Sequence, residues 1–161
     1  MLRLSKLTDY GTVVLARLAA SGNRVSSASD LAAATGIAPP TVSKLLKLLS
    51  KGGLVVSTRG ANGGYRLSRD AAEISAAEII DALEGPVSIT ECSAEDSSCD
   101  YESTCAIGGA WQRINVAIRR ALDDVSLADL LKNTRLNPAF RFAGVPVTID
   151  NAPTLKKSHG N

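Results

Sequence analysis

Between Leu7 and Ala20 the apolar residues Leu7, Val14, Leu15 and Leu18 recur at helical spacing, which predicts an amphipathic helix. Ser5 or Thr8 can cap its start, and Ser21-Gly22-Asn23 can end it. A second, short helix fits Ser27 to Thr35, with Leu31 and Ala34 facing inward and Gly36 as the stop. After the tight turn Gly36-Ile37-Ala38, a third helix opens on Pro39-Pro40 and runs to about Lys51. Proline is tolerated in a first helical turn because its missing N–H would have no partner there anyway. Val42, Leu45, Leu46 and Leu49 line one face, and Gly52-Gly53 closes the helix.

The period then changes. Leu54-Val55-Val56-Ser57-Thr58 is rich in β-branched residues, Gly60 to Gly64 is a turn, and Tyr65-Arg66-Leu67-Ser68 is a second short strand. The two strands read as a β-hairpin. A helix follows from Ser75 to about Leu83, ended by Gly85-Pro86. Residues 88–106 are polar and acidic and read as a loop. From about Ile107 to Asp124, the residues Ile107, Trp111, Ile114, Ile118, Ala121 or Leu122, and Val125 recur at steps of three and four, a narrow stripe suited to a helix–helix seam. Leu127 to Leu131 adds a short helical segment, and the Pro-bearing stretch from about Asn137 onward is expected to be without fixed structure.

Two short helices joined by a tight turn and followed by a hairpin describe a winged helix-turn-helix. The predicted fold class is mainly α with a small β-hairpin. Residues 1–85 form the winged domain, 86–106 a cysteine-bearing loop, 107–132 a dimerisation helix, and 133–161 a flexible tail. In such a module the second helix of the pair enters the major groove through residues near its N-terminus. Here that places Pro40, Thr41, Ser43, Lys44 and Lys47 on the reading face. Thr41 and Ser43 offer short hydrogen-bonding groups, and Lys44 and Lys47 add charge. Arg59 and Gly60 begin the hairpin turn, where a glycine backbone can approach phosphate closely and an arginine can pair with phosphate or enter the minor groove. The seam residues Trp111, Ile114, Ile118 and Leu122 point to a homodimer.

Charge strengthens that expectation. The formal net charge of +2 hides an asymmetry: residues 1–70 hold ten Lys or Arg against three Asp or Glu, whereas residues 71–105 hold nine acids and no base. A basic first half suits a polyanionic partner such as double-stranded DNA. With 45% hydrophobic residues the chain can bury a core, and with only 4% aromatics that core must come from Leu, Ile, Val and Ala. No apolar run approaches the roughly 18 residues of a membrane span. No signal peptide is evident, so the expected location is the cytoplasm.

Cys92, Cys99 and Cys105 form a C-x6-C-x5-C pattern in an acidic, polar stretch. An odd count argues against a disulfide framework. Structural zinc prefers tighter pairs. Uneven, wider spacing suits a loop wrapped around an iron–sulfur cluster, while zinc or reactive thiols stay open as alternatives. A fourth ligand could come from Glu91, Glu95, Asp96, Asp100, Glu102 or Asp9; His159, the single histidine, lies far off in the tail. An enzyme with a cysteine nucleophile is disfavoured because no histidine accompanies the cysteines. A winged scaffold that binds proteins in place of DNA fits the basic half poorly.

The opening Leu4-Ser5-Lys6-Leu7-Thr8-Asp9-Tyr10-Gly11, the hairpin Arg59-Gly60-Ala61-Asn62-Gly63-Gly64-Tyr65-Arg66-Leu67 and the cysteine triplet together resemble the IscR/NsrR-type Rrf regulators, over roughly residues 1–132. Within them the chain looks most similar to regulators of SUF iron–sulfur assembly operons. The resemblance implies a homodimeric transcriptional regulator, with a repressor the expected sign, that binds a partly palindromic operator. It implies no small-molecule substrate and a cluster held by Cys92, Cys99 and Cys105. In the IscR branch a histidine three residues after the last cysteine completes a [2Fe–2S] site; this chain has Gly108 there. In the NsrR branch an aspartate from the partner's first helix completes a [4Fe–4S] site, and Asp9 matches that position. The resemblance therefore favours [4Fe–4S] over [2Fe–2S].

Overall fold

A computed structural model describes residues 4–60, 63–90 and 107–132, together with the backbone of 141–142 and 145–146. Helix α1 spans Lys6–Ala20, α2 Ala28–Thr35 and α3 Pro39–Lys51. Strands β1 (Val55–Thr58) and β2 (Gly64–Leu67) follow, then a 3-10 turn at Ala71–Glu73, α4 (Ala76–Glu84), α5 (Gly108–Asp123) and α6 (Leu127–Leu131). The predicted element order and mainly helical class hold, and only the 3-10 turn was not foreseen within this part. Residues from Lys132 onward form a separate unit. Most of the expected structureless tail lies outside the described residues, but Arg141–Phe142 (β3) and Val145–Pro146 (β4) pair as a two-residue antiparallel ladder.

Local chemistry explains the boundaries. Ser5 caps α1, its side chain accepting from the Leu7 N–H. Ser27 and Asp30 form a reciprocal capping box at α2, and burial picks out Leu31 and Ala32. Ala34, expected inward, is exposed. Gly36 ends α2 in the left-handed region at φ 70°, which is what lets the chain turn sharply into α3. The helices converge on one core made by Val14, Leu15 and Leu18 of α1, Leu31 of α2, Val42, Leu45, Leu46 and Leu49 of α3, and Ile79 and Leu83 of α4. Each such side chain contributes about 1.5–3 kcal/mol by leaving water.

The hairpin is antiparallel, with Val55 opposite Leu67, Val56 opposite Arg66, Ser57 opposite Tyr65 and Thr58 opposite Gly64. Leu54 and Val55 are buried, so the base of the hairpin belongs to the core and only its tip projects. At the other end of the fold, α5 and α6 are stapled to the head through the backbone. Ala76 N–H donates to Val125 O at 2.8 Å, and Leu127 N–H donates to Ile74 O at 2.7 Å. Leu127 is fully buried beneath this staple.

Ser75 serves both parts. Its hydroxyl accepts from the Glu78 N–H at 3.2 Å, and it lies 3.3 Å from an Asp123 carboxylate oxygen, to which it donates. The Glu78 carboxylate returns the cap by accepting from Ser75 N–H at 2.9 Å. Ser75→Ala removes the cap while leaving the backbone staple, so a loss of about 1 kcal/mol is expected. Urea unfolding followed by circular dichroism measures it, and an unchanged midpoint would remove the cap from this account.

Candidate nucleic-acid interface and cysteine segment

The reading helix has two chemically opposite faces. Val42, Leu45, Leu46 and Leu49 are buried, while Ser43, Lys44, Lys47 and Lys51 are exposed. No acidic residue occurs in α3. Lys51, absent from the sequence-based set, continues the row begun by Lys44 and Lys47; the spacing i, i+3, i+7 is the signal that finds it. Pro40 is exposed, whereas Thr41 is half-buried and presents less surface than expected. Ala38 caps the helix without a side-chain hydrogen bond, and prolines fill the first two helical positions.

Arg59 and Gly60 are exposed where β1 ends, and Gly60 adopts φ 116°. Its carbonyl accepts from Gly63 N–H at 2.9 Å, closing the turn whose tip, residues 61–62, lies outside the described residues. Lys44, Lys47, Lys51 and Arg59 have no carboxylate partner among the described residues. Their charge is therefore available to an external anion.

A contact that sequence patterning missed holds the hairpin in place. Ser26, in the linker before α2, exchanges two backbone hydrogen bonds with Tyr65 of β2, at 2.9 and 2.8 Å. Gly64 permits it: a Cβ there would sit 2.6 Å from the Ser26 carbonyl oxygen. The wing is thus joined through the backbone to the linker that leads into α2.

Cys92, Cys99 and Cys105 lie outside the described residues, as does His159. They belong to the segment between the end of α4 and the start of α5. Among the described residues no three His, Cys, Asp or Glu side chains converge as a metal site. Asp9 is exposed in the first turn of α1, and its carboxylate has no hydrogen-bond or ion-pair partner among the described residues. Gly108 starts α5 and supplies no side-chain donor.

Next to Asp9, Thr8 is buried and is bonded through its hydroxyl to Glu84 at the end of α4. The same carboxylate oxygen accepts the Ser5 N–H at 2.9 Å. The hydrogen bond from Thr8, helped by Ser5, holds the Glu84 carboxyl below its ordinary pKa. Thr8 is therefore a tie between α1 and α4, and the capping role falls to Ser5 alone.

The apolar stripe on α5 divides. Trp111 and Ile114 are exposed, at 38% and 44%. Ile118 and Leu122 are half-buried and turn toward their own α4, where they line a cavity of about 530 Å³ with Leu4, Ile80 and Val87.

Compared with known proteins, the chain matches the Rrf2 family, described as "Iron-dependent Transcriptional regulator", over residues 4–133. The chain belongs to the Rrf2 family. It is 33% identical over 138 residues to the protein named rrf2 of Nitratidesulfovibrio vulgaris, covering 85% of this chain and 92% of that one. Among solved structures it is similar to CymR, the global cysteine regulator of B. subtilis, with TM-score 0.63 and 32% identity, covering 83% of this chain and 99% of that one. It is also similar to IscR of T. potens, with TM-score 0.60 and 31% identity, covering 82% and 88%. As an Rrf2-family member the chain is a DNA-binding transcriptional regulator and not an enzyme. Among the described residues no helix is long and apolar enough to cross a membrane.

Proposed function

We propose that this chain is a homodimeric regulator that reads a partly palindromic operator through α3 and the wing, and whose affinity is set by an iron–sulfur cluster on Cys92, Cys99 and Cys105. The observation that carries the DNA mode is the acid-free row Lys44, Lys47 and Lys51 on α3, beside a wing that bears Arg59 and is tied to the helices by the Ser26–Tyr65 ladder. Lysine and arginine neutralise phosphates and release counterions, which gives affinity. Thr41, Ser43 and the backbone near Pro40 and Gly60 provide groups for base edges and sugar–phosphate oxygens. Trp111 and Ile114, exposed on α5, form the outer part of the dimer contact; Ile118 and Leu122 reach it from the edge that also meets α4.

The donor set fits a cluster. Thiolates are the standard ligands of such centres, and the exposed Asp9 carboxylate, without a partner among the described residues, is available to a neighbouring subunit as a fourth ligand. When bound, a cluster supplies an iron centre reactive toward oxidants and nitric oxide. The chain's own residues do the rest. Thr8 and Ser5 lock the α1 terminus that bears Asp9 onto Glu84. Glu84 is followed directly by Gly85-Pro86 and the cysteine segment. Ligand capture by Cys92, Cys99, Cys105 and Asp9 would thus bear on both elements that orient the reading head, and repression is the expected output. The favoured cluster is [4Fe–4S], because Gly108 stands where a [2Fe–2S] histidine ligand would be.

Anaerobic reconstitution with iron and sulfide tests this reading through the visible absorption band and the Mössbauer spectrum. A cluster-free protein that retains only zinc would overturn it. Even outer-shell partners of metal ligands cost about 10–100-fold in metal affinity when removed. Asp9→Ala is therefore expected to shorten the cluster's lifetime in air at least about tenfold, with urea unfolding unchanged. An unaltered lifetime would exclude Asp9 as a ligand. The similarity to Staphylococcus aureus CymR, solved in an oxidized form, favours a second reading, in which the cysteines act as redox thiols without a cluster. Iron-free protein whose operator affinity follows reversible thiol oxidation would establish it.

A further inference from the structure

The long helix α5 meets the head in a lopsided way. Its C-terminal end is fixed by the backbone staple at Val125 and Leu127 and by Ser75 on Asp123. Residues 109–114 are all exposed, and no residue of α5 is fully buried. Between the two regimes lies a directional contact to α4. The Arg119 guanidinium donates to both carboxylate oxygens of Asp81 on α4, at 2.6 Å from Nη2 and 3.2 Å from Nη1. A planar fork on a carboxylate fixes angle as well as distance. Glu84, three residues after Asp81 on the same helix, is the group tied to α1.

The lever is long. From Arg119 to the first turn of α5 the helix extends roughly 15 Å at ~1.5 Å per residue. A small pivot about the staple would therefore move its N-terminal end by several ångströms. The staple restrains the helix end, and the Arg119–Asp81 fork adds a second, angular restraint. The pair is also partly solvated, with side chains 41% and 27% exposed. An ion pair of that kind contributes little to global stability, so its consequence is orientation.

We propose that Arg119 is a positioning residue: its bidentate pair with Asp81 latches the angle of α5 to the DNA-reading head, and so sets the separation of the two heads on an operator. This rests on the homodimer reading above and adds to it the element that fixes half-site spacing. The pair joins α4 to α5 and includes no residue of α3 or the hairpin, so it can affect a two-headed site without affecting a single head.

The test uses the full chain, Arg119→Gln, and the charge-swapped double variant Asp81→Arg/Arg119→Asp. The probes are the duplex that the wild-type protein enriches from a random pool, that duplex with its centre lengthened or shortened by one base pair, and its isolated half. Arg119→Gln is expected to bind the native duplex about three- to tenfold more weakly, as two exposed pairs per dimer allow. It should discriminate less against altered spacing, keep wild-type affinity for the half-site, and keep its unfolding midpoint. The double variant should restore spacing discrimination. Equal losses on half-site and full site, or unchanged spacing discrimination, would overturn the proposal alone. Sedimentation separates the two readings, because a monomeric wild-type protein on its enriched duplex would overturn the homodimer and the latch together.

Discussion

Replacing Lys44 and Arg59 together by alanine is expected to lower operator affinity by at least about a hundredfold and to flatten its salt dependence. The affinity of such interfaces rises from counterion release, with a slope close to 0.9 per neutralised phosphate. Two cations removed from each of two protomers should therefore reduce the slope by about 3 to 4. Neither residue touches the core, and neither has a carboxylate partner among the described residues. The double variant should consequently unfold at the wild-type denaturant concentration. Fluorescence anisotropy across a salt series reads affinity and slope together. An unchanged slope would mean that the DNA lies against another face.

The second large effect concerns the cysteines. Serine at any one of Cys92, Cys99 or Cys105 is expected to reduce bound iron and sulfide after anaerobic reconstitution to background, because an alcohol is a far poorer ligand to iron than a thiolate. Operator affinity should then cease to respond to reconstitution, while the head stays folded. Among the described residues, the buried core is built from the helices, the hairpin and their short links. Iron and acid-labile sulfide assays with circular dichroism check both halves of the expectation. Full iron retention in all three variants would reject the cluster reading.

Legibility along the chain follows the strength of the local pattern. In α3, leucine and valine at helical spacing force one face inward, so the exposed lysine row could be read directly. In α2 the run Ala32-Ala33-Ala34 carries no phase of its own, since three identical small residues give no preferred face; packing against α3 chose Ala32. Thr8 can serve as a cap or as a buried tie, and the choice depends on Glu84, which is 76 residues away. The α5 stripe is a case of two faces sharing one pattern. Trp111 and Ile114 look outward while Ile118 and Leu122 look toward α4, and a helical wheel shows a single band.

By itself the sequence determined the element order, the polarity of α3, the wing turn and the grouping of three thiols. All of these depend on neighbours within a few residues: hydrophobic period, proline and glycine stereochemistry, and charge. Only the tertiary structure decided how the parts are joined. The Ser26–Tyr65 ladder that carries the wing with the helices, the Glu84 tie to Thr8 and Ser5, and the Arg119 fork on Asp81 each link residues at least 38 apart. Such contacts leave no periodic trace, because a hydrogen bond between distant residues demands one partner at one place and not a repeating face.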